Sequence, residues 1–359
     1  MSHPPLRILY VGYPLLTVSE ESAGGAEQML WALEQEMFLS GAITTVAASA
    51  GSRVAGELYE TGAACTRPDD FDRRNREHQE AIVELVKLRA QEGRPFDLIH
   101  DKSGSFWSCG ARVETPILAT LHLPRHFYQS GVFEEIAPNV TFNCVSESQA
   151  VSFRDLKQMR FVVPNGISMN GFRANRRECR GLLWLGRICE EKAPHIALEI
   201  AARAGLPITV AGQVYPFSYH QKYFEREVLP RLRQESQSRF VEAPSADLKR
   251  RLLSEAQALL ITSQVDETSS LVAMEAAACG TPVIAFRRGA LPEIIRHGVT
   301  GFIVNDPLEA IEKLARLGEF DSQTCVHHAR ENFSSRDMAK QYSRVYEEIV
   351  QLHPVAVAV

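Results

Sequence analysis

The sequence predicts an α/β protein built from two doubly wound parallel sheets. Three observations support this fold class. Short apolar runs that fit buried strands alternate with helical patterns along most of the chain. The segment from Leu6 to Ala48 reads strand, glycine loop, helix, strand, and the segment from Ala258 to Phe286 repeats that order with a polar loop. The length of 359 residues suits two domains of ordinary size.

In the N-terminal half, the first strand ends at Val11 and a loop with Gly24 and Gly25 precedes a helix from Ala26 to Ser40. The dinucleotide fingerprint G-x-G-x-x-G is absent, which weakens a dehydrogenase interpretation. The glycine pair is either a flexible turn or a place where the backbone comes close to a ligand. The other elements expected in this half are strands at 43–48, 96–100, 116–121 and 140–145 and a charged helix at 73–94.

The middle of the chain contains Pro164-Asn165-Gly166, in which Asn-Gly marks a tight turn. A predicted strand at 181–185 runs into a loop that carries Arg187 and Lys192, and Pro194 then begins a helix. The two cations are either surface charges or phosphate ligands. The second interpretation follows from their place at the ligand edge of a sheet, where a guanidinium fork and an ammonium suit phosphate oxygens.

The stretch from Ile261 to Phe286 contains a polar loop with Glu267, a helix of small and apolar residues, and a further buried strand. A helix that begins at the carboxyl edge of a sheet directs free N–H groups toward a phosphate, and here they would belong to 269–271. Glu275 is the only charge in this helix. Its partner is either a pair of ribose hydroxyls or a neighbouring Arg or Lys.

Composition excludes several classes of protein. A formal charge of −5 argues against a general nucleic-acid binder, and no apolar run approaches the roughly 20 residues of a membrane-spanning helix. The predicted helix at 73–94 favours a solvated face over membrane docking, because glutamates offset its arginines. Seven dispersed cysteines without zinc spacing, and an N-terminus that lacks a signal-peptide pattern, predict reduced thiols and a cytoplasmic location.

Glu267 and Glu275 are separated by seven residues and lead into EAAACGTPVIA. This pattern closely resembles the signature of glycosyltransferase family 4, the retaining members of the glycosyl transferases group 1. Thr268-Ser269-Ser270 departs from the Phe-Gly pair usual there, and Ala193 stands where the family generally has Gly. The resemblance implies the GT-B fold, in which two Rossmann-like domains face an interdomain cleft and a C-terminal helix crosses back to the N-domain. The implied domains are 1–167 with 337–359, and 168–336.

The resemblance also implies roles for individual residues. The catalytic residues would be His122, at the end of the strand 116–121, and Glu267. The donor-binding residues would be Gly25, Arg187, Lys192, Ser269, Ser270, Leu271 and Glu275. Weaker expectations are base contacts from Val241 and Glu242 and acceptor contacts from Gly24, His126 and Tyr128, of which the last two equally fit a packed loop.

A retaining glycosyltransferase is the function that this resemblance implies. It would move a sugar from a nucleotide-diphosphate sugar, most often a UDP-sugar in this family, to a hydroxyl of a sugar, lipid-linked or small-molecule acceptor. Cations and helix amides would stabilise the leaving diphosphate, so no metal or other cofactor is expected. The alternatives are a sugar-nucleotide epimerase or hydrolase of the same fold and a non-catalytic binder of nucleotide sugars.

Overall fold

A computed structural model describes residues 4–22, 24–174, 181–234 and 236–353. The chain forms two compact units, an N-terminal unit of Met1–Ser168 with Ser335–Val359 and a C-terminal unit of Met169–Ser334. The domain limits expected from the sequence lie within two residues of these divisions. Residues 354–359 of the predicted C-terminal segment lie outside the described part of the chain.

The N-terminal unit is organised around a seven-stranded parallel sheet with the strand order β3-β2-β1-β4-β5-β6-β7. Its inner strands are buried on both faces, which explains their unbroken apolar sequences. The strands are β1 (Arg7–Val11), β2 (Ile43–Ala48), β3 (Glu57–Glu60), β4 (Leu98–Asp101), β5 (Ile117–Thr120), β6 (Val140–Cys144) and β7 (Met159–Val162).

Four α-helices of this unit are α1 (Gly25–Leu39), α2 (Phe71–Gln91), α3 (Glu147–Ser152) and α12 (Ser335–Leu352). The predicted charged helix at 73–94 corresponds to α2. Ser146 caps α3 by accepting a hydrogen bond from the amide of Gln149 at 3.3 Å. The start of this helix therefore lies where a serine cap predicts it.

The last helix, α12, packs on α1 and hydrogen-bonds to the middle of the sheet. The hydroxyl of Tyr346 lies 2.6 Å from Nδ1 of His100 on β4, and Nε2 of that ring lies 2.7 Å from Oγ1 of Thr120 on β5. Asn143 on β6 donates to the hydroxyl of Tyr342 at 3.1 Å. Because every one of these groups is buried, the network fixes the return of the chain to its first unit.

The C-terminal unit contains a six-stranded parallel sheet with the order β10-β9-β8-β11-β12-β13. Its strands are β8 (Leu182–Leu185), β9 (Ile208–Gly212), β10 (Ser238–Glu242), β11 (Ala258–Ile261), β12 (Val283–Phe286) and β13 (Gly301–Val304). Its α-helices are α4 (Pro194–Ala204), α5 (Ser218–Tyr223), α6 (Leu229–Gln234), α7 (Ala246–Glu255), α8 (Leu271–Ala278), α9 (Leu291–Ile294), α10 (Pro307–Leu314) and α11 (Ser322–Asn332). A π-helical turn, Phe224–Val228, joins α5 to α6.

Each sheet has one place where its strand order reverses. This place lies between β1 and β4 in the N-terminal unit and between β8 and β11 in the C-terminal unit. Doubly wound sheets bind ligands at such a switch point, outside the carboxyl ends of the strands. The loops that follow these four strands therefore define where a site is expected in each unit.

Two further observations bear on the predicted location. Within the described ranges, none of the helices combines the length and the apolar character that crossing a bilayer requires. Six cysteines in those ranges are free thiols. The cytoplasmic location stays a prediction.

Candidate functional site

The two loops at the switch point of the C-terminal sheet are tied to each other. Thr262, directly after β11, donates from Oγ1 to the carbonyl of Ala193 at 2.8 Å, and the amide of Gln264 donates to the carbonyl of Glu191 at 2.8 Å. Ala193 has φ of +49°, the left-handed region that favours glycine, which gives a physical reason for glycine at this position in the family the sequence resembles.

Lys192 and Glu267 form the centre of this site. Nζ of Lys192 lies 2.6 Å from both carboxylate oxygens of Glu267, and Ser263 donates to Oε1 of the same carboxylate. The Glu267 side chain is 10% exposed and that of Lys192 is 29% exposed. An ammonium has three N–H groups and a carboxylate about four acceptor positions, so each partner keeps capacity for one further hydrogen bond.

Arg187 lies on the same loop as Lys192 and pairs with a different carboxylate. Its Nη2 donates to Oε1 of Glu191 at 2.7 Å, and 45% of its side chain is exposed. Most N–H groups of a guanidinium remain available when one donates to a carboxylate. Both predicted phosphate cations therefore lie at the carboxyl edge of the sheet, with their charges balanced by neighbouring acids.

The helix α8 begins at Leu271, and Ser270 is its N-cap residue without a side-chain cap. The first amides of a helix have no partner within it, so the amides near 270–273 are free of α8's own hydrogen bonds. Oγ of Ser269 is buried and has no hydrogen-bond partner within the described ranges. The Ser269 hydroxyl and the first amides of α8 come directly after Glu267 in the chain. Such a group of donors at the start of a helix suits an anion.

Gly289 lies against the backbone of Glu267. A Cβ atom here would lie 2.7 Å from the amide nitrogen of Glu267 and closer still to its carbonyl oxygen. The amide of Ala290 donates to that carbonyl at 2.7 Å. The loop after β12 therefore fixes the position of the carboxylate that pairs with Lys192.

Glu275 pairs with a lysine, which is one of the two kinds of partner expected from the sequence. Its Oε1 accepts from Nζ of Lys249 on α7 at 2.6 Å. Its Oε2 is buried and has no partner within the described ranges. The salt bridge therefore occupies one oxygen and leaves the other for a hydroxyl donor.

The predicted base contacts lie farther along the same sheet edge. Val241 and Glu242 end β10, the edge strand next to β9, and Glu242 is exposed. Ala243 follows with φ of +43° and donates to the carbonyl of Gly212 at 3.0 Å. Within the described ranges, no hydrogen bond or ion pair joins these two residues to the Lys192–Glu267 pair.

In the N-terminal unit, Gly24 and Gly25 begin α1 after the loop that follows β1. A side chain at Gly24 would overlap the carboxylate of Glu27, which is buried in the first turn of the helix. Burial raises the pKa of Glu27 to about 6. The group that approaches Gly24 closely is thus a side chain of the protein itself.

His122 follows β5, and Gln149 holds its loop by donating to the carbonyl of Leu121 at 2.8 Å. Burial, and then the charge of Lys102, lower the pKa of His122 well below its usual value. The imidazole is therefore neutral and offers one donor and one acceptor. It lies one strand away from the switch point between β1 and β4.

Lys102 was not predicted, because a lysine directly after a strand reads as an ordinary loop residue. It is 1% exposed, and within the described ranges its Nζ has no hydrogen-bond partner. The neighbouring Asp101 carboxylate instead accepts bonds from Ser103 and Trp107. Nζ lies 5.2 Å from the ring centroid of Tyr342. Burial lowers the pKa of Lys102 to about 7.

His126 and Tyr128, the weak acceptor candidates, differ in their surroundings. His126 is exposed, and its ring centroid lies 4.6 Å from that of Phe127. Tyr128 packs its ring against Phe133 and Phe153. The packed-loop alternative therefore describes Tyr128, and His126 is the residue with a free surface.

One group of potential metal ligands within the described ranges comprises Cys189, Glu191 and His220. Sequence spacing did not indicate it, because the cysteine and the histidine belong to different βα loops.

Comparisons with known proteins agree with these observations. Residues 176–325 match the family model of glycosyl transferases group 1. The D-inositol 3-phosphate glycosyltransferase of Mycobacterium tuberculosis is 27% identical over 279 residues, which are 65% of this chain and 58% of that protein. The chain thus spans little more than half the length of the curated relatives it matches.

Solved structures match over nearly the whole chain. Sucrose-phosphate synthase from Thermosynechococcus elongatus has a TM-score of 0.78 at 18% identity and covers 97% of this chain and 100% of its own. Anabaena HepE, in complex with UDP and glucose, has a TM-score of 0.74 at 15% identity, with 96% and 100% covered. These likenesses confirm the predicted fold class, two Rossmann-like parallel-sheet units of the GT-B type.

Proposed function

We propose that this protein is a retaining glycosyltransferase that moves a sugar from a nucleotide-diphosphate sugar to a hydroxyl acceptor. The observation that carries the proposal is the Lys192–Glu267 pair at the switch point of the C-terminal sheet, directly before the start of α8. This arrangement combines a cation, a carboxylate and free helix amides at one sheet edge. The match of residues 176–325 to glycosyl transferases group 1 supports it.

The donor diphosphate is proposed to bind Arg187, Lys192 and the amides at the start of α8. Before the donor binds, Glu191 and Glu267 balance the two cations, so the site carries little net charge. Lys192 keeps one N–H group and Arg187 several for phosphate oxygens. These donors face the group that gains negative charge as the anomeric C–O bond breaks, and no metal is needed for that role.

Glu267 is proposed to position a sugar hydroxyl, and Glu275 the ribose. Lys192 and Ser263 leave one acceptor position on the Glu267 carboxylate, and Lys249 leaves Oε2 of Glu275. A carboxylate held by an ammonium in this way is a poor nucleophile. This supports same-face attack, in which the leaving phosphate helps to deprotonate the acceptor.

The N-terminal unit is proposed to supply His122 for the donor sugar and His126 for the acceptor. A neutral His122 suits an uncharged ligand such as a sugar. The nucleotide is proposed to be UDP, and UDP-glucose is the first donor to test because the neighbour HepE is described with it. D-inositol 3-phosphate is the first acceptor to test, from the name of the mycobacterial relatives.

Thermal unfolding with saturating UDP, GDP, ADP and TDP, each with and without a chelator, tests the donor site. A ligand at about 100 times its Kd stabilises the folded state by roughly 2.7 kcal/mol. We expect one nucleotide to raise the Tm by the same amount with and without the chelator. No rise with any of the four would reject the phosphate site at Arg187, Lys192 and α8.

Glu267→Gln tests the assignment of chemistry to this site. The variant keeps the shape of the side chain but loses the charge that orients Lys192, so we expect transfer to fall at least about a hundredfold while free nucleotide still binds. Glu312→Gln, an exposed change on α10, is the matched control. Transfer at the wild-type rate in Glu267→Gln would show that the catalytic site lies elsewhere. Donor turnover that is equally fast without an acceptor would favour an epimerase or hydrolase.

A further inference from the structure

Cys189, Glu191 and His220 bring a thiol, a carboxylate and an imidazole together in the C-terminal unit. One ligand atom from each side chain lies within 4.8 Å of the other two. Cys189 and Glu191 belong to the loop after β8, and His220 lies on α5, after β9. Because β8 and β9 are neighbours in the sheet, the fold places the two segments side by side.

His220 has unused hydrogen-bonding groups in a closed environment. It is 1% exposed, and within the described ranges neither ring nitrogen has a hydrogen-bond partner. The rings of Phe217 and Tyr219 lie against it, with centroids at 5.4 and 4.3 Å. A buried polar group without a partner is unfavourable, so a ligand that bonds to a ring nitrogen would stabilise this site.

Cys189 and Glu191 complete the set of ligands. Cys189 is fully buried, and its Sγ lies 3.4 Å from the carbonyl oxygen of Arg187. A divalent cation deprotonates a thiol that binds it, so Cys189 would serve as a thiolate ligand. Oε1 of Glu191 accepts from Arg187 at 2.7 Å, and one oxygen of this carboxylate lies within 4.8 Å of the other two ligand atoms.

We propose that Cys189, Glu191 and His220 bind one zinc-type divalent cation, which fastens the loop after β8 to α5. Thiolate and imidazole ligands select Zn²⁺ over Mg²⁺ or Ca²⁺. Zinc bonds of about 2.0–2.3 Å require the three ligand atoms to close by about 1 Å, and a fourth position stays open. On binding, the S–H bond of Cys189 breaks, a Zn–S bond forms and the proton passes to the solvent.

Glu191 links this cluster to the proposed donor site, because its Oε1 accepts from Arg187. The metal proposal is nevertheless independent of the transferase assignment, because its tests measure binding alone.

Calorimetry of the full chain with Zn²⁺, after chelator treatment and dialysis, tests the proposal directly. We expect one ion per chain and, from titrations in two buffers of different ionisation enthalpy, release of about one proton. Cys189→Ser and His220→Gln should each weaken binding at least about tenfold, since even loss of an outer-shell partner costs that much. Cys65→Ser, a partly exposed thiol, and His327→Gln, an exposed imidazole, should leave binding unchanged.

Cobalt(II) gives a second readout, because a thiolate ligand produces a charge-transfer band in the near ultraviolet. The band should appear with one equivalent of Co²⁺ and disappear in Cys189→Ser, with circular dichroism confirming that the variant is folded. Should that variant fail to fold, Glu191→Gln, at a partly exposed position, must weaken Co²⁺ binding with the band otherwise intact. Absence of binding in the wild-type chain, or binding that none of the three ligand changes weakens, would overturn the proposal.

Discussion

Replacing Lys102 with Met should stabilise the N-terminal unit at neutral pH. The ammonium of Lys102 is buried without a hydrogen-bond partner in the described ranges, and Met has similar length without the charge. Burial lowers the pKa from 10.5 to about 7, and each pKa unit corresponds to about 1.4 kcal/mol. At pH 7 protonation of Lys102 stabilises the unfolded chain but hardly stabilises the folded chain. This lysine therefore lowers the free energy of unfolding by about 4 kcal/mol.

The pH dependence follows from the sign of the shift. Below pH 7 the folded and unfolded chains both carry the charge, so the unfavourable contribution of Lys102 is full there. Between pH 7 and 10.5 the unfolded chain binds more protons than the folded chain, so wild-type stability rises with pH through this group. The advantage of Lys102→Met should therefore shrink from about 4 kcal/mol at pH 7 to about 2 kcal/mol at pH 9.

Urea unfolding at the two pH values measures this difference. In a Trp184→Phe background, the remaining tryptophans Trp31 and Trp107 both belong to the N-terminal unit, so their fluorescence follows that unit. Lys157→Met, at an exposed position, should change the free energy of unfolding by less than about 0.5 kcal/mol. A Lys102→Met variant that is less stable than its parent at pH 7, or equally shifted at both pH values, would refute the reasoning.

Two further substitutions test how the site and the last helix are held. Gly289→Ala should disable nucleotide-sugar transfer and lower the Tm, because its Cβ would displace the backbone of Glu267. The control is Gly205→Ala, at a position with a similar positive φ of +66° and open space around it. This control should cost only about 1–2 kcal/mol of stability and leave transfer intact. Tyr346→Phe should cost about 1–3 kcal/mol in urea unfolding, because Nδ1 of the buried His100 loses its hydrogen bond. The control Tyr219→Phe, at an exposed position, should cost almost nothing. Equal effects of either substitution and its control would contradict the contact described.

The sequence predicted those parts of the fold whose signal is continuous along the chain. The buried run of β11, the small residues of α8 and the Gly-Pro stop before β12 lie next to one another, so local pattern was sufficient. The edge strand β3, Glu57–Glu60, was missed because it is short and only half-buried. An edge strand of this kind has neither a full apolar run nor a clear alternation.

The site was harder to predict, since its contacts join separate elements. Lys249, the partner of Glu275, lies on α7 and looks like any charge on a solvated helix until the fold brings the two together. The burial of Lys102 and the meeting of Cys189 with His220 likewise depend on strand order, which spacing along the chain does not reveal. The catalytic and binding roles of the predicted residues stay predictions.

The return of α12 to the first unit has a consequence for how the protein is made. The C-terminal unit is one continuous segment, 169–334, whereas the N-terminal unit is completed only by residues from 335 onward. During synthesis the segment that starts later can therefore finish folding first. Until Tyr342 and Tyr346 emerge from the ribosome, His100, Thr120 and Asn143 lack the hydrogen bonds that these two tyrosines make. The early half of the nascent chain is therefore the one more exposed to chaperones.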